Sequence, residues 1–433
     1  MRMTLFIRAV AAGILAGVGA LLILPGAARA AEGDAVARWW KGNLHTHSLW
    51  SDGDDYPEMI TDWYKRRGYD FLGISDHNTL QEGEKWVTVN TNRVGADALQ
   101  KYLKRHGDSW VVRREEKGKI QVRLKTLKEY RPLFEEPGKF LLVQMEEVTD
   151  RYKTAPIHVN VTNIREAIKP RGGSNIVEVM ENNIAAVFDQ RRRTGQPMFP
   201  HLNHPNFGWG VTAEELMRVK GERFFEVYNG HPTVNNFGDT NHAGTDRIWD
   251  IVLTRRLAEL NFGALYGVGT DDSHHYHTNA PNKSNSGRGW VMVRAPRLTP
   301  EAIVEAMEAG DFYASSGVEL LDVKREKNRI AVEVRGEPGV TYKTQFIGTR
   351  KGYDPKHEPV RSVSGAPLRI TEKYSADVGA VLAEVPGTSA AYEIKGDEIY
   401  VRAKIISSRR KANAATKDEF EMAWTQPVVT GVK

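Results

Sequence analysis

The chain has 433 residues, 40 % of them hydrophobic and 27 % charged, with 60 basic side chains against 55 acidic ones and no cysteine. That length accommodates two or three globular domains of roughly 100–200 residues each. The missing thiols exclude disulfides, thiolate metal ligands and a cysteine nucleophile, so any metal site must be built from histidine, aspartate and glutamate.

Residues 1–30 open with Arg2 and Arg8, continue as an apolar run and end in Ala28-Arg29-Ala30. This is the anatomy of a secretory signal peptide cleaved near Ala30 or Ala31; the alternative is an uncleaved membrane anchor. Cleavage removes three arginines and no acid, leaving 57 basic against 55 acidic side chains, a net +2. So mild a charge gives no reason to expect nucleic acid as a partner. No later segment is long and apolar enough to span a bilayer, so no membrane contact is expected after cleavage. The mature protein is expected to be periplasmic or secreted. The sequence carries no signal for an oligomeric state.

Seven short β-rich segments follow: Lys41–Leu44, Phe71–Ser75, Phe140–Met145, His158–Thr162, Pro197–Leu202, Phe224–Tyr228 and Gly263–Val268. Amphipathic helices are predicted between some of them, at Pro57–Arg67, Ile176–Arg193, Ala213–Val219 and Thr245–Leu260. Strand alternating with helix predicts an α/β domain over 31–317, its parallel sheet open or closed into a barrel. Residues 84–139 break the alternation with a predicted helix, Ala96–His106, and a hairpin, Ser109–Lys125, turning at Glu116–Lys119. The Lys101–Arg131 stretch is dense in basic residues. It is either a solvated insertion or a lid that draws in an anionic substrate. From 318 to 433 the texture changes to β-branched and alternating runs at Ile330–Arg335, Thr341–Ile347, Leu368–Ile370, Ala391–Ile394 and Glu398–Ile406. Turn signals between them predict a separate, smaller antiparallel β-sandwich-like domain.

The unusual residues gather at or beside the seven strands. The stretch 42–54 reads GNLHTHSLWSDGD, and residues i and i+2 of a strand face the same side, so His45 and His47 point together. Asp272 and His274 repeat that spacing at the seventh strand. Between them come Asp76-His77, Glu146-Glu147, His158, and His201 with His204. Most lie at strand C-terminal ends, where open α/β sheets and barrels build their sites. A multinuclear centre follows, and its nitrogen and oxygen donors suit zinc, manganese or iron. His106, His231, His242 and His357 are read as ordinary surface or core histidines. There is no GxSxG elbow, Walker A loop or GxGxxG motif, and Gly267–Gly269 is a lone GxG.

The ordered set HTHS, SDG, SDHN, a glutamate after a strand, two single histidines and DxH resembles the PHP (polymerase and histidinol phosphatase) metallohydrolases over residues 41–317. AMEAGDFYASSG and FEVYNG resemble exported members of that family. The resemblance implies a distorted seven-stranded (β/α)7 barrel with two or three divalent metal ions. Carried over, His45, His47, Glu147 and Asp272 would hold one metal. Asp52, His77 and His274 would hold a second, and Glu147 with His158 and His204 a third. Glu147 is preferred to Glu146 because Glu-Val-Thr matches the family's Glu-apolar-Ser/Thr. Many relatives carry histidine where Asp52 stands. Asp76 would orient His45 or His77.

The expected function is a metal-dependent phosphoesterase acting on phosphate mono- or diesters with a metal-bound hydroxide. Arg288 is the candidate to hold phosphate oxygens, and a protonated His201 or His275 the candidate to assist the leaving group. The alternative is a carboxyl- or carbamate-ester hydrolase similar to carbaryl-hydrolase-like relatives, with Trp50, Phe207, Trp209 and Trp290 lining an apolar pocket. A non-catalytic binding protein is the third reading. The expected partner is a small anionic or ester substrate.

Overall fold

The computed structural model describes residues 36–89 and 95–430, so the leader expected over 1–30 lies outside the described residues. Seven strands frame the site: β1 (Arg38–Asn43), β2 (Phe71–Ile74), β3 (Leu141–Tyr152), β4 (Ala155–Thr162), β5 (Phe199–Leu202), β6 (Phe224–Asn229) and β7 (Tyr266–Thr270). They lie side by side in chain order. All neighbouring pairs are parallel except β3–β4 and β4–β5. One strand, β4, therefore runs against the other six. The expected parallel sheet fails here because β3 continues to Tyr152 and turns straight into β4 at Lys153-Thr154, leaving no room for a crossover helix. The two ends of this curved sheet meet at the rim. There Asp272 N–H donates to the His45 carbonyl and His47 N–H to that of Ser273, both at 2.9 Å.

Phe71, Val143, Met145, Phe199, Phe224 and Val268, from five of these strands, form one apolar cluster beneath the rim. A Cβ on Gly42 would lie 2.1 Å from the Phe71 ring, so that ring can fill the space only because position 42 has no side chain. Helices pack outside: α1 (Pro57–Arg66), α2 (Ala96–His106), α3 (Ile176–Thr194) and α4 (Thr245–Arg255). The α3 boundaries follow from its caps. Asn175 accepts the Glu178 N–H at 3.0 Å, and Gly195 ends the helix at φ +70°. Its Val179, Met180 and Ile184 face the apolar cluster under β5 and β6. Thr245–Leu260, expected as one helix, widens to π geometry at Arg256–Leu260.

The basic insertion is a support for the site loop. Its Ala98, Leu99, Tyr102, Val122 and Leu124 bury Leu49, Trp50 and Tyr56 of the loop that follows the His-x-His pair. Much of its charge is already paired, Arg123 with Glu129, Arg113 with Asp108 and Arg131 with Glu135, which leaves less to attract an anion. Trp50 is therefore core beneath the insertion, with its indole N–H donating to the Lys125 carbonyl at 3.1 Å.

On the β1 side the sheet continues through β8 (Trp290–Ala295) and β9 (Phe312–Ser315). It then runs into antiparallel strands of the C-terminal region: β10 (Tyr342–Arg350), β11 (Ala380–Pro386), β12 (Glu398–Arg410) and β13 (Phe420–Thr425). A second sheet, Leu320–Glu326, Arg329–Val334 and Ser389–Glu393, shares an apolar core with them. The two layers match the expected sandwich texture. The region is nonetheless bonded into the first sheet, because Phe420–Thr425 pairs with Phe312–Ser315. The described residues from Val36 onward form one compact unit. Among the described residues no helix is long and apolar enough to cross a membrane.

Glu222, just before β6, is fully buried. Burial pushes its carboxyl up to about 8, against its hydrogen bonds from the Phe224 and Arg223 amides. The folded state then holds a proton the unfolded chain has lost between the ordinary glutamate pKa and about 8, so stability falls as pH rises through that window. Glu222→Gln keeps the amide acceptor. Its melting temperature is expected to exceed wild type at pH 8.5, with the gap closing at pH 4. Equal curves at both pH values would show that Glu222 titrates normally.

Candidate metal centre

Six imidazoles and three carboxylates converge at the rim. Glu147 Oε2 lies 3.2 Å from His45 Nε2, 3.1 Å from His47 Nε2 and 3.1 Å from His77 Nδ1. Asp272 Oδ1 lies 3.3 and 3.2 Å from the same atoms of His45 and His47. The other Glu147 oxygen is 2.8 Å from His158 Nδ1 and 3.6 Å from His204 Nε2. Asp52 Oδ1 lies 3.5 Å from His47 Nδ1, 3.5 Å from His77 Nε2 and 3.3 Å from His274 Nε2.

The local chain explains this convergence. Alternation along β3 turns Glu147 to the site and Glu146 away, where Glu146 accepts the Ile168 N–H at 2.7 Å. Asn78, at φ +51°, bonds both the N–H and the carbonyl of Thr149, which sets His77 beside Glu147. His158 arrives from the reversed strand β4, whose His158 opposes Thr149 of β3. Asp272 sits at φ +50°, a left-handed conformation that aspartate tolerates better than most residues. A Cβ on Gly53 would lie 2.4 Å from the His47 carbonyl oxygen, so glycine lets the Asp52 loop fold tightly over the pair.

The electrostatics favour positive charge at this site. Burial alone would lower His47, but the Asp272 and Glu147 carboxylates beside it raise it to about 10. His45 is likewise raised well above its ordinary value against burial, by Asp272, Glu226 and Glu147. Burial alone would raise Glu147 and Asp272, yet the surrounding imidazoles hold both well below the carboxylate range. His47 Nε2 is buried without a hydrogen-bond partner. A buried nitrogen with no partner, facing two carboxylate oxygens, suits a divalent cation between them. Among the described residues, four clusters of three or four such donors have the spacing to hold an ion.

Four residues expected to act in catalysis are placed otherwise. The Asp76 carboxylate hydrogen-bonds elsewhere than to His45 or His77. It binds Ser48 N and Oγ, Ser51 Oγ and Gln81 Nε2 at 2.6–2.9 Å and so shapes the loop carrying Asp52. Glu226, in the fully buried β6, orients His45 instead: its Oε1 is 2.6 Å from His45 Nδ1. Its other oxygen accepts the His204 N–H at 2.7 Å. A lone acid in an otherwise apolar strand was the signal available for it. His201 is fully buried behind Glu226, 3.6 Å from it. His275 lines a separate cavity beyond the Asp272–His274 segment. Arg288 is fully buried and donates to the carbonyls of Asn413, Gly230 and Ala280, so its donors are committed to holding loops.

Of the aromatic residues, Phe207 faces the site, its ring centroid 5.1 Å from that of His204. Trp209 stacks on His242 at 3.8 Å, and Trp290 is buried under Lys41. His231 packs edge-on against His274 with centroids 5.4 Å apart. Burial pushes it down to about 4, so it is neutral near pH 7. Its position at the end of β6 was its only sequence signal. A cavity of about 740 Å³, lined by His158, Phe207, Thr149, Arg151 and Lys153 among others, opens beside the cluster.

No family model matches this chain, and no curated protein matches it. Among solved structures it is similar to a two-domain protein from Bacteroides vulgatus containing a predicted PHP-like metal-dependent phosphoesterase. That match has 15 % identity and a TM-score of 0.38 and covers 90 % of this chain and 95 % of the other. It is also similar to a provisionally assigned metal-dependent phosphoesterase from Bifidobacterium adolescentis, at 12 % identity and a TM-score of 0.26, covering 54 % and 87 %. Both scores are too low to establish a shared fold.

Partners that orient a ligand histidine typically contribute 10–100-fold to metal affinity. Glu226→Gln is therefore expected to weaken metal binding about tenfold or more. Competition with a chromogenic chelator measures it; unchanged affinity would remove Glu226 from the centre.

Proposed function

We propose that this protein is a metal-dependent hydrolase of phosphate esters. The observation that carries the reading is Glu147, whose two carboxylate oxygens between them meet five imidazoles beside Asp272. His45, His47, Glu147 and Asp272 would hold one divalent cation; zinc, manganese and iron all suit these donors. Asp52, His77 and His274 would hold a second, and His158 and His204 with Glu147 a third. Bound cations would supply an acidified water and positive charge on the ester oxygens. Glu226 holds the His45 ring through Nδ1, leaving Nε2 for the centre. Arg151 and Lys153 in the adjoining wall would hold the anionic part of a substrate, which favours phosphate. Phe207, against His158 and His204, favours the second reading, a carboxyl- or carbamate-ester hydrolase. The leader-like residues 1–30 support action outside the cytoplasm.

The test is release of p-nitrophenol by the metal-loaded protein from a phosphate monoester, a phosphate diester and a carboxyl ester, with His45→Ala as control. Phosphate-ester turnover that vanishes in the control supports the reading. Turnover of the carboxyl ester alone moves the protein to the second reading. Metal uptake with no turnover of any of the three favours a binding role.

A further inference from the structure

The chain between β10 and β11, residues 351–379, leaves the C-terminal strands and reaches back to the wall of the candidate site. Its Thr371 hydroxyl accepts the Ala213 N–H at 3.0 Å, and its Glu372 N–H donates to the Glu214 carboxylate at 3.1 Å. Arg247 of α4 donates to its Tyr374 and Ser375 carbonyls at 3.1 and 2.9 Å. Arg369 makes the contact that bears on the site. Its Nη2 donates to the Trp209 carbonyl at 2.8 Å and its Nη1 to that of Gly210 at 3.1 Å, with Glu215 Oε2 also 3.1 Å from Nη1.

Those two carbonyls belong to the turn that carries Phe207 and Gly208 into the 740 Å³ cavity beside the metal centre. Trp209 sits there at φ +53°, where a bulky side chain is rarely found. A Cβ on Gly210 would lie 2.3 Å from the Pro156 carbonyl oxygen, so the turn presses on β4, whose Pro156 lines the same cavity. A strained turn persists only when its surroundings over-determine it. The stack of Trp209 on His242 and two bonds from one planar guanidinium supply that. We infer, on the reading of this cavity as the substrate's, that Arg369 is a positioning residue: through the Trp209 and Gly210 carbonyls it fixes the Phe207 wall and so sets which organic group can lie beside the metal centre. Arg369 does not itself line the cavity, so it acts through the turn. The Phe207 ring, 5.1 Å from that of His204, would pack against an aromatic group on the ester.

Two phosphonates that cannot be hydrolysed test this on the metal-loaded protein. Phenylphosphonate carries a ring to meet Phe207, and methylphosphonate carries none. Calorimetry is expected to show wild type preferring the phenyl compound. Arg369→Gln is expected to cut that preference about five- to tenfold, with methylphosphonate affinity and metal content unchanged. Arg369→Lys, which keeps the charge but loses the fork, should recover part of it. The Arg369 side chain is 46 % exposed, so neither substitution opens the core. Hydrogen exchange needs no ligand. The Phe207, Gly210 and Val211 amides, bonded within the 204–211 segment, are expected to exchange about tenfold faster in Arg369→Gln, while those of His47 and Asp272 keep wild-type rates. No phenyl preference in wild type, equal losses for both phosphonates in Arg369→Gln, or unchanged exchange in the turn overturns the inference. Failure of the hydrolytic reading shows separately, as absence of ester turnover by wild type, which neither measurement uses.

Discussion

Glu147→Gln is expected to strip the protein of tightly held divalent metal and to lower turnover on the order of 10²–10³-fold or more. The carboxylate is the one group shared by most of the cluster. One oxygen faces His45, His47 and His77 within 3.2 Å, and the other is 2.8 Å from both His158 and the Asn203 amide. An amide keeps the shape, loses the negative charge and turns an N–H₂ group toward atoms that must donate electron pairs to a cation. Metal per chain after gel filtration, measured by elemental analysis, is expected to fall. Added metal at a hundredfold excess over Kd stabilises a binding protein by about 2.7 kcal/mol through mass action. The matching rise in melting temperature should appear in wild type and vanish in Glu147→Gln. Glu146→Gln is the control, since that side chain points to the Ile168 amide; its metal content should stay at the wild-type level. Full metal content with lost activity would recast Glu147 as a proton acceptor.

Arg402→Met is expected to cost about 3–5 kcal/mol of stability without touching the metal centre. Arg402 is fully buried on β12. Its Nε and Nη2 lie 2.8 and 2.7 Å from the two Asp250 oxygens, and Nη2 is 3.1 Å from Asp246. Both acids belong to α4, so this ion pair fastens the C-terminal strands to the helix outside β6 and β7. Methionine retains most of the volume but leaves Asp250 with only the Tyr400 hydroxyl, at 2.8 Å. Uncompensated buried charge is the reason for the large cost. The thermal midpoint should drop on the order of ten degrees, with metal content at room temperature unchanged. Asp250→Leu added to Arg402→Met should recover much of the loss, because the orphaned charge is then gone. A new early transition would instead show the C-terminal strands unfolding on their own.

The residues that converge at the rim were largely legible in the chain, and the reason is periodicity. His45 with His47 and Asp272 with His274 needed only the strand repeat of two to face one side, whereas Glu147 was preferred to Glu146 on the resemblance of Glu-Val-Thr to a family motif. The helices Ala96–His106 and Ile176–Thr194 were equally plain, because caps and amphipathic spacing are local. The direction of β4 was not legible, since His158–Thr162 reads the same in either sense and only the length of β3 decides it. Roles carried by long-range partners were hidden as well. Asp76 stands next to His77 in sequence yet serves the 48–51 loop, while Glu226, far from any ligand in sequence, orients His45. Arg288 looked like a loop cation until three carbonyls from separate segments took its donors. The C-terminal strands showed their texture in the sequence, but strand pairing is a contact between distant residues, and the β9–β13 ladder that joins them to the first sheet exists only once the chain has folded. Sequence by itself determined which side chains share a face, because that follows from the backbone repeat. Which of them meet, and which carboxylate answers which imidazole, was decided by the tertiary structure, because those distances are set by how the sheet curls and closes at its rim.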